Sequence, residues 1–144
     1  MHINSPEHDD CFAIRQAARH ISQLYERYLS AVGLTSAQFS ILTALGRSTS
    51  LTMIELAQVM VMDRTTLVRA LQPLLRDGLV SDRLSAPGKR RLQIALTSAG
   101  RQKLDDAATH WEAAQEEFER SFGAQEAAHL RRELFRVTRD VSKI

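Results

Sequence analysis

LTMIELAQVMVMDRTTLVRALQPLLRDG, residues 51–78, contains two helix starts and one helix stop. In Leu51-Thr52-Met53-Ile54-Glu55-Leu56, Thr52 can cap a helix, Glu55 can reach back to the Thr52 amide, and Leu51 and Leu56 can staple the turn. A short helix to about Met60 follows. Asp63 then offers a carboxylate cap, Met62 and Leu67 a second staple, and Gly78 the left-handed residue that stops the second helix. Helix, tight turn and helix over 53–77 form a helix-turn-helix pattern. Leu67, Ala70, Leu71, Leu74 and Leu75 give the second helix one buried side, while Arg64, Thr65, Thr66 and Arg69 occupy its first two turns. A helix of this kind fits the major groove of DNA, where hydroxyls meet phosphates or base edges and an arginine can grip guanine through two hydrogen bonds. Pro73 removes one amide donor, to the Arg69 carbonyl, and predicts a small bend near the helix end.

Beyond Gly78 the period changes. Leu79-Val80-Ser81-Asp82-Arg83 and Leu92-Gln93-Ile94-Ala95-Leu96 flank the turn-rich Ser85-Ala86-Pro87-Gly88 and read as a two-stranded hairpin over 79–96 with a basic tip. Arg83, Lys89, Arg90 and Arg91 are its candidate phosphate contacts. Lys89, Arg90 and Arg91 are consecutive on a strand and cannot all point one way, so at least one has a structural role. Upstream, Leu34-Thr35-Ser36-Ala37-Gln38-Phe39 repeats the capping grammar, with Thr35 and Gln38 as the box and Leu34 and Phe39 as the staple.

The ends of the chain are helical. Cys11, Ile14, Ala18, Ile21, Tyr25 and Tyr28 recur at steps of three and four, and Gly33 closes that helix. From Thr97 onward, Leu104, Ala108, Trp111, Gln115, Phe118 and Phe122 form one seam, and Ala127, Leu130, Leu134, Val137 and Val141 another. These seams either cover one another within a chain or pair with a second copy; the basic middle is too short to cover both, which makes a homodimer the economical solution. The expected fold is mainly α with a small β-hairpin wing, a winged helix-turn-helix. It forms a single domain over 1–144, with dimerisation helices at about 10–31 and 98–143 and a DNA-binding lobe at 35–97.

The net charge is only +2, but it is unevenly distributed. Between positions 64 and 103 nine basic residues face two acidic ones, while the rest of the chain carries ten basic and fifteen acidic residues. So one-sided a segment favours a polyanion partner. A winged-helix module used only for protein association would not need that charge. The chain of 144 residues, 44% hydrophobic, has no apolar run of membrane-spanning length and no signal-peptide pattern at its start, so a cytoplasmic location with no membrane partner is expected. Cys11 is the only cysteine, which excludes an intramolecular disulfide. His2, His8, His20, His110 and His129 fall at no metal-ligand spacing, and no phosphate loop or nucleophile motif is present. Neither a cofactor nor an enzymatic activity is expected.

The sequence resembles the MarR family of transcriptional regulators from about Cys11 to Val141. The resemblance is carried by Leu34-Thr35-Ser36-Ala37-Gln38-Phe39 at the entry to the second helix, Arg64-Thr65-Thr66-Leu67-Val68-Arg69 in the recognition helix, Asp77-Gly78-Leu79-Val80 at its exit and Leu96-Thr97-Ser98-Ala99-Gly100 at the close of the wing. Thr35, Ser36 and Gln38 join the candidate DNA contacts on that basis. One departure is Gly88 in Gly88-Lys89-Arg90, where the family usually carries an aspartate that orients the wing arginine. The resemblance implies a homodimer on a pseudo-palindromic double-stranded DNA operator, usually a repressor, released by a small aromatic or phenolic effector between dimer helices and DNA-binding lobe. Arg15, Arg19, His20, Tyr25 and Trp111 are candidate effector-lining residues, with Arg15 or Arg19 pairing a carboxylate; ion pairing between subunits, surface exposure and core packing are the structural alternatives. Cys11-Phe12-Ala13 also resembles the segment bearing the reactive cysteine of hydroperoxide-sensing members, in which tyrosines activate the thiol. Tyr25 matches one of those tyrosines and Arg15 stands at the other, so Cys11 is either a redox sensor or an inert buried thiol.

Overall fold

Side-chain caps set the start of nearly every helix. The computed structural model describes residues 5–84 and 91–141. Asp9 accepts the Phe12 amide (3.0 Å) and starts α1 (Asp10–Leu29), which tightens into a 3-10 turn, Ser30–Val32, and reverses at Gly33 with φ of +73°. The Thr35–Gln38 capping box opens α2 (Ser36–Gly46), closed from both sides by bonds of 3.0 and 3.1 Å. The short strand β1 (Leu51–Thr52) runs directly into α3 (Met53–Met60), whose box joins Thr52 and Glu55. Asp63 caps α4 (Arg64–Arg76), which continues through Pro73 for one further turn. Strands β2 (Val80–Leu84) and β3 (Leu92–Leu96) precede α5 (Ser98–Phe122), and Gly123 separates it from α6 (Ala124–Asp140).

The sheet has three antiparallel strands in the order β1-β3-β2. Val80 faces Leu96 and Arg83 faces Gln93 across the hairpin, while Leu51 and Thr52 face Ile94 and Gln93 on its other edge. The two-stranded hairpin expected from sequence is thus extended by one short strand, reinforced by the Ser50 hydroxyl donating to Gln93 Oε1 at 2.8 Å. Two residues are too few to display the alternation that identifies a strand.

The core of the middle lobe lies between α2, α3, α4 and β3. Ile41, Leu42, Leu45, Leu56, Leu67, Leu71, Leu74 and Ile94 are almost fully buried there, and Leu29 and Ala107 join it from α1 and α5. Ala70 and Leu75, also expected inside, pack against this cluster while remaining partly exposed. The terminal helices present a different picture. Every residue from Asp10 to His20 is exposed, α6 is buried only at Ala127, and Phe12, Ile14, Leu134, Phe135 and Val137 face outward. No single helix among the described residues is long and apolar enough to cross a membrane.

The Asp63 cap gives a test of the local physics. Hydrogen bonding from the Thr66 amide, 2.7 Å from Asp63 Oδ1, is the main cause that holds the carboxyl below its ordinary range. A depressed carboxyl pKa stabilises the fold above the unfolded-state value, and that contribution disappears as pH falls through the folded-state value. Asp63→Ala is therefore expected to lower the melting temperature by a few degrees at neutral pH, with the gap to wild type closing under acidic conditions. A gap independent of pH would remove the charged cap as its cause.

Candidate nucleic-acid interface

Helical geometry divides α4 into two faces. Leu67, Leu71 and Leu74 point into the core, which turns Thr65, Arg69, Gln72 and Arg76 outward in one stripe at steps of four, three and four; all four are exposed. Arg64 and Thr66 flank the stripe at its start and are also exposed. Arg64, Thr65, Thr66 and Arg69 are the residues expected here from sequence; Gln72 and Arg76 extend that set. Continuing the helical period from Thr65 would have found both. Among the described residues, Arg76 contacts Asp77 at 3.5 Å, whereas no carboxylate lies within ion-pair distance of Arg64 or Arg69. Two guanidinium groups without an ion-pair partner at the front of a helix suit phosphate or guanine, and Gln72 has the amide that can pair with adenine.

Around α4, Arg83 is exposed on β2 and Arg91 just ahead of β3. Arg91 lies close enough to Glu55 to add, after the hydrogen bonds from Thr52, to the causes that hold the Glu55 carboxyl below its ordinary range. Lys89 and Arg90 lie outside the described residues. The start of α2 is more heavily engaged than expected. Glu26 Oε1, from α1, accepts both the Ser36 amide at 3.3 Å and the Ser36 hydroxyl at 3.1 Å, so the Ser36 proton is committed to α1 and a carboxylate stands beside it. Thr35 Oγ1 and Gln38 Oε1 are used in the capping box. The Thr35 hydroxyl proton and the Gln38 amide protons remain available to an acceptor.

A second feature lies where α1, α2 and α5 meet. Trp111 packs against Phe39, with ring centroids 6.1 Å apart at 22°, and against Tyr25 at 6.4 Å and 58°. Next to them is a cleft of about 250 Å³ lined by Ser22, Tyr25, Ser36, Phe39, Ser40 and Trp111, with Ile21 and Leu29 behind. Burial first, and then the Glu119 carboxylate, push the Tyr25 hydroxyl above its ordinary value, so it remains a proton donor at neutral pH. Tyr25 and Trp111 of the expected effector set meet here. Arg15, Arg19 and His20 do not; they line a separate exposed patch on α1 with Phe12, Gln16 and Gln23.

Residues 32–91 match the profile of the MarR family. The transcriptional regulator MosR of M. tuberculosis, solved in complex with DNA, is 37% identical and superposes with a TM-score of 0.81 over 91% of this chain and 94% of its own. The chain belongs to the MarR family. The HTH-type transcriptional regulator SarZ of Staphylococcus saprophyticus is 31% identical over 98 residues, 68% of this chain and 67% of that protein. CouR of Rhodococcus jostii RHA1, solved with p-coumaroyl-CoA, shares the fold at 20% identity, with a TM-score of 0.81 over 98% of this chain and 99% of its own. This MarR protein is a DNA-binding transcriptional regulator of the winged helix-turn-helix type and not an enzyme.

In this MarR regulator Cys11 is exposed, in contrast to a buried inert thiol. Tyr25 does not approach it within the chain. Fourteen residues on one α-helix span about 21 Å, and the Tyr25 hydroxyl instead faces Gln115 Oε1 at 3.5 Å. Any tyrosine acting on this thiol would have to come from a second subunit.

Proposed function

We propose that this MarR regulator binds a pseudo-palindromic operator as a homodimer and represses transcription in the cytoplasm until an aromatic or phenolic effector enters the Trp111 cleft. The observation that carries the DNA reading is the exposed stripe of Thr65, Arg69 and Gln72 on α4, in which Arg69 has no ion-pair partner among the described residues. The whole chain from 1 to 144 acts as one winged-helix unit, with Arg64, Thr66, Arg83, Arg91, Lys89 and Arg90 holding the duplex around that stripe.

The dimer follows from what one chain leaves uncovered. A groove of about 570 Å³ runs between α1, α5 and α6, lined by Ile14, Ile21, Phe118, Leu130, Leu134 and Phe135, with Ala13, Ala17 and Ala18 allowing close approach. Helices with this much exposed apolar surface need a partner, and a second copy offers complementary ones. A dimer of this kind places two copies of α4 on half-sites about one helical turn apart. Titration onto a labelled duplex from upstream of the protein's own gene should give a preference of ~10³ or more over a scrambled duplex. Equal, salt-sensitive binding to both would sink the specific-operator reading.

The cleft has aromatic faces and the hydroxyls of Ser22 and Ser40, beside Ser36 and Tyr25 whose protons point to Glu26 and Gln115, and its lining carries no cation. A neutral phenol therefore suits it better than a carboxylate, since Arg15 and Arg19 line the separate exposed patch on α1. Phenol-type ligands are expected to change Trp111 fluorescence and lower operator affinity, with benzoate weaker than phenol; a response confined to benzoate would refute the cleft assignment. A second reading, release by an oxidant, is favoured by the exposure of Cys11. Cys11→Ser should bind the operator as wild type does and resist peroxide. A wild type indifferent to peroxide ends that reading.

A further inference from the structure

Val61, in the turn between α3 and α4, is the only residue other than glycine with positive φ among the described residues, at φ 52° and ψ 49°. A β-branched side chain is a genuine outlier in this region, because Cβ and both γ-methyls crowd the backbone. The turn itself explains the backbone. The Val61 amide donates to Gln58 O at 3.3 Å and the Met62 amide to Ala57 O at 3.0 Å, closing α3 in the manner that glycine usually serves. The side chain has no such explanation. It is 73% exposed, more than any other large hydrophobic residue described, so the core gains nothing from it. Glycine at 61 would relieve the backbone and remove exposed apolar surface at once.

Its place in the chain supplies the missing reason. Val61 stands two residues before Asp63, the cap that sets the start of α4, and its exposure is continuous with that of Asp63, Arg64, Thr65 and Thr66, with only Met62 partly turned inward. Strain kept at an exposed site points to an interaction made outside the fold. We propose that the Val61 isopropyl group is a specificity-determining DNA contact, packing against apolar duplex surface, such as a thymine methyl, at the edge of the site read by α4. This rests on the operator reading above and adds a residue to it.

The test compares wild type, Val61→Gly and Val61→Ala on a duplex that wild type binds specifically, so that failure of this inference leaves the regulator reading intact. Val61→Gly is expected to melt several degrees higher than wild type, as strain is released, yet to bind the operator about fivefold more weakly. Val61→Ala removes the γ-methyls but keeps a Cβ at positive φ, and should lose similar affinity with a smaller gain in melting temperature than Val61→Gly. The salt dependence of binding should be the same in all three, since no charge is removed. Operator affinity unchanged in Val61→Gly would overturn the proposal. So would a shallower salt dependence, which would mean that the substitution shifts α4 off its phosphates instead of deleting an apolar contact.

Discussion

Gly100→Ala is expected to cost ~3 kcal/mol of stability and to lower the melting temperature by ~10 °C, the upper range for overpacking in a chain of this size. Gly100 is buried in the first turn of α5, and a Cβ there would run into the Leu79 carbonyl oxygen and stand 2.9 Å from its carbon. The backbone cannot swing aside. The Gly100 amide donates to Thr97 Oγ1 at 3.0 Å, the Thr97 hydroxyl donates to Gly78 O at 2.6 Å, and the Thr97 amide donates to Leu79 O at 3.1 Å. These three hydrogen bonds, among Gly78, Leu79, Thr97 and Gly100, fasten the exit of α4 to the start of α5, so the strain falls on the joint between those two helices. Operator affinity should fall with stability. Gly78→Ala is the control: its φ is +73°, nothing lies within 4 Å of an added Cβ, and the cost should be only ~1 kcal/mol. Thermal melts giving Gly100→Ala the smaller loss of the two would refute this account of the joint.

Local chemistry was legible in the sequence wherever a residue acts on its neighbours three or four positions away. Thr35, Thr52 and Asp63 are where the capping rules place them, and the apolar period of α4 gives Leu67, Leu71 and Leu74 their burial. Contacts between distant residues leave no period to read. Glu26 reaching Ser36 joins two helices through one carboxylate across ten residues of sequence, a contact that no helical period marks. The expected effector set separates for a similar reason. Arg15, Arg19 and His20 lie on the exposed first half of α1, while Tyr25 is further along, where Trp111 meets it. The two-residue β1 was invisible because its partner β3 lies some forty residues on. Gly123, with φ of +106°, divides the C-terminal helices at a position that the two apolar seams bracket but do not mark.

Arg69→Ala should reduce specific operator affinity by ~30-fold, about 2 kcal/mol, within the range for losing one bidentate base contact. Arg69 is exposed, and its charge reaches Asp63 only as the weakest of the influences on that carboxyl. Its removal should therefore leave stability within ~0.5 kcal/mol of wild type. Lost affinity can then be assigned to the interface and not to unfolding. The decisive quantity is the ratio of operator to scrambled duplex. A base-reading arginine carries that ratio, so Arg69→Ala should collapse it while weakening scrambled-duplex binding only slightly. Arg69→Lys should fail to restore it, because an ammonium group lacks the planar fork that matches guanine. Arg91, ahead of β3 and near Glu55, provides the contrast: as a phosphate contact, its loss should weaken both duplexes alike and reduce the salt slope by about 0.9 per contact. If Arg69→Ala behaves in that second way, Arg69 holds phosphate, and sequence reading by α4 passes to Thr65 and Gln72 on the same stripe. If Arg69→Ala binds the operator as tightly as wild type, the exposed stripe is not the surface that meets DNA.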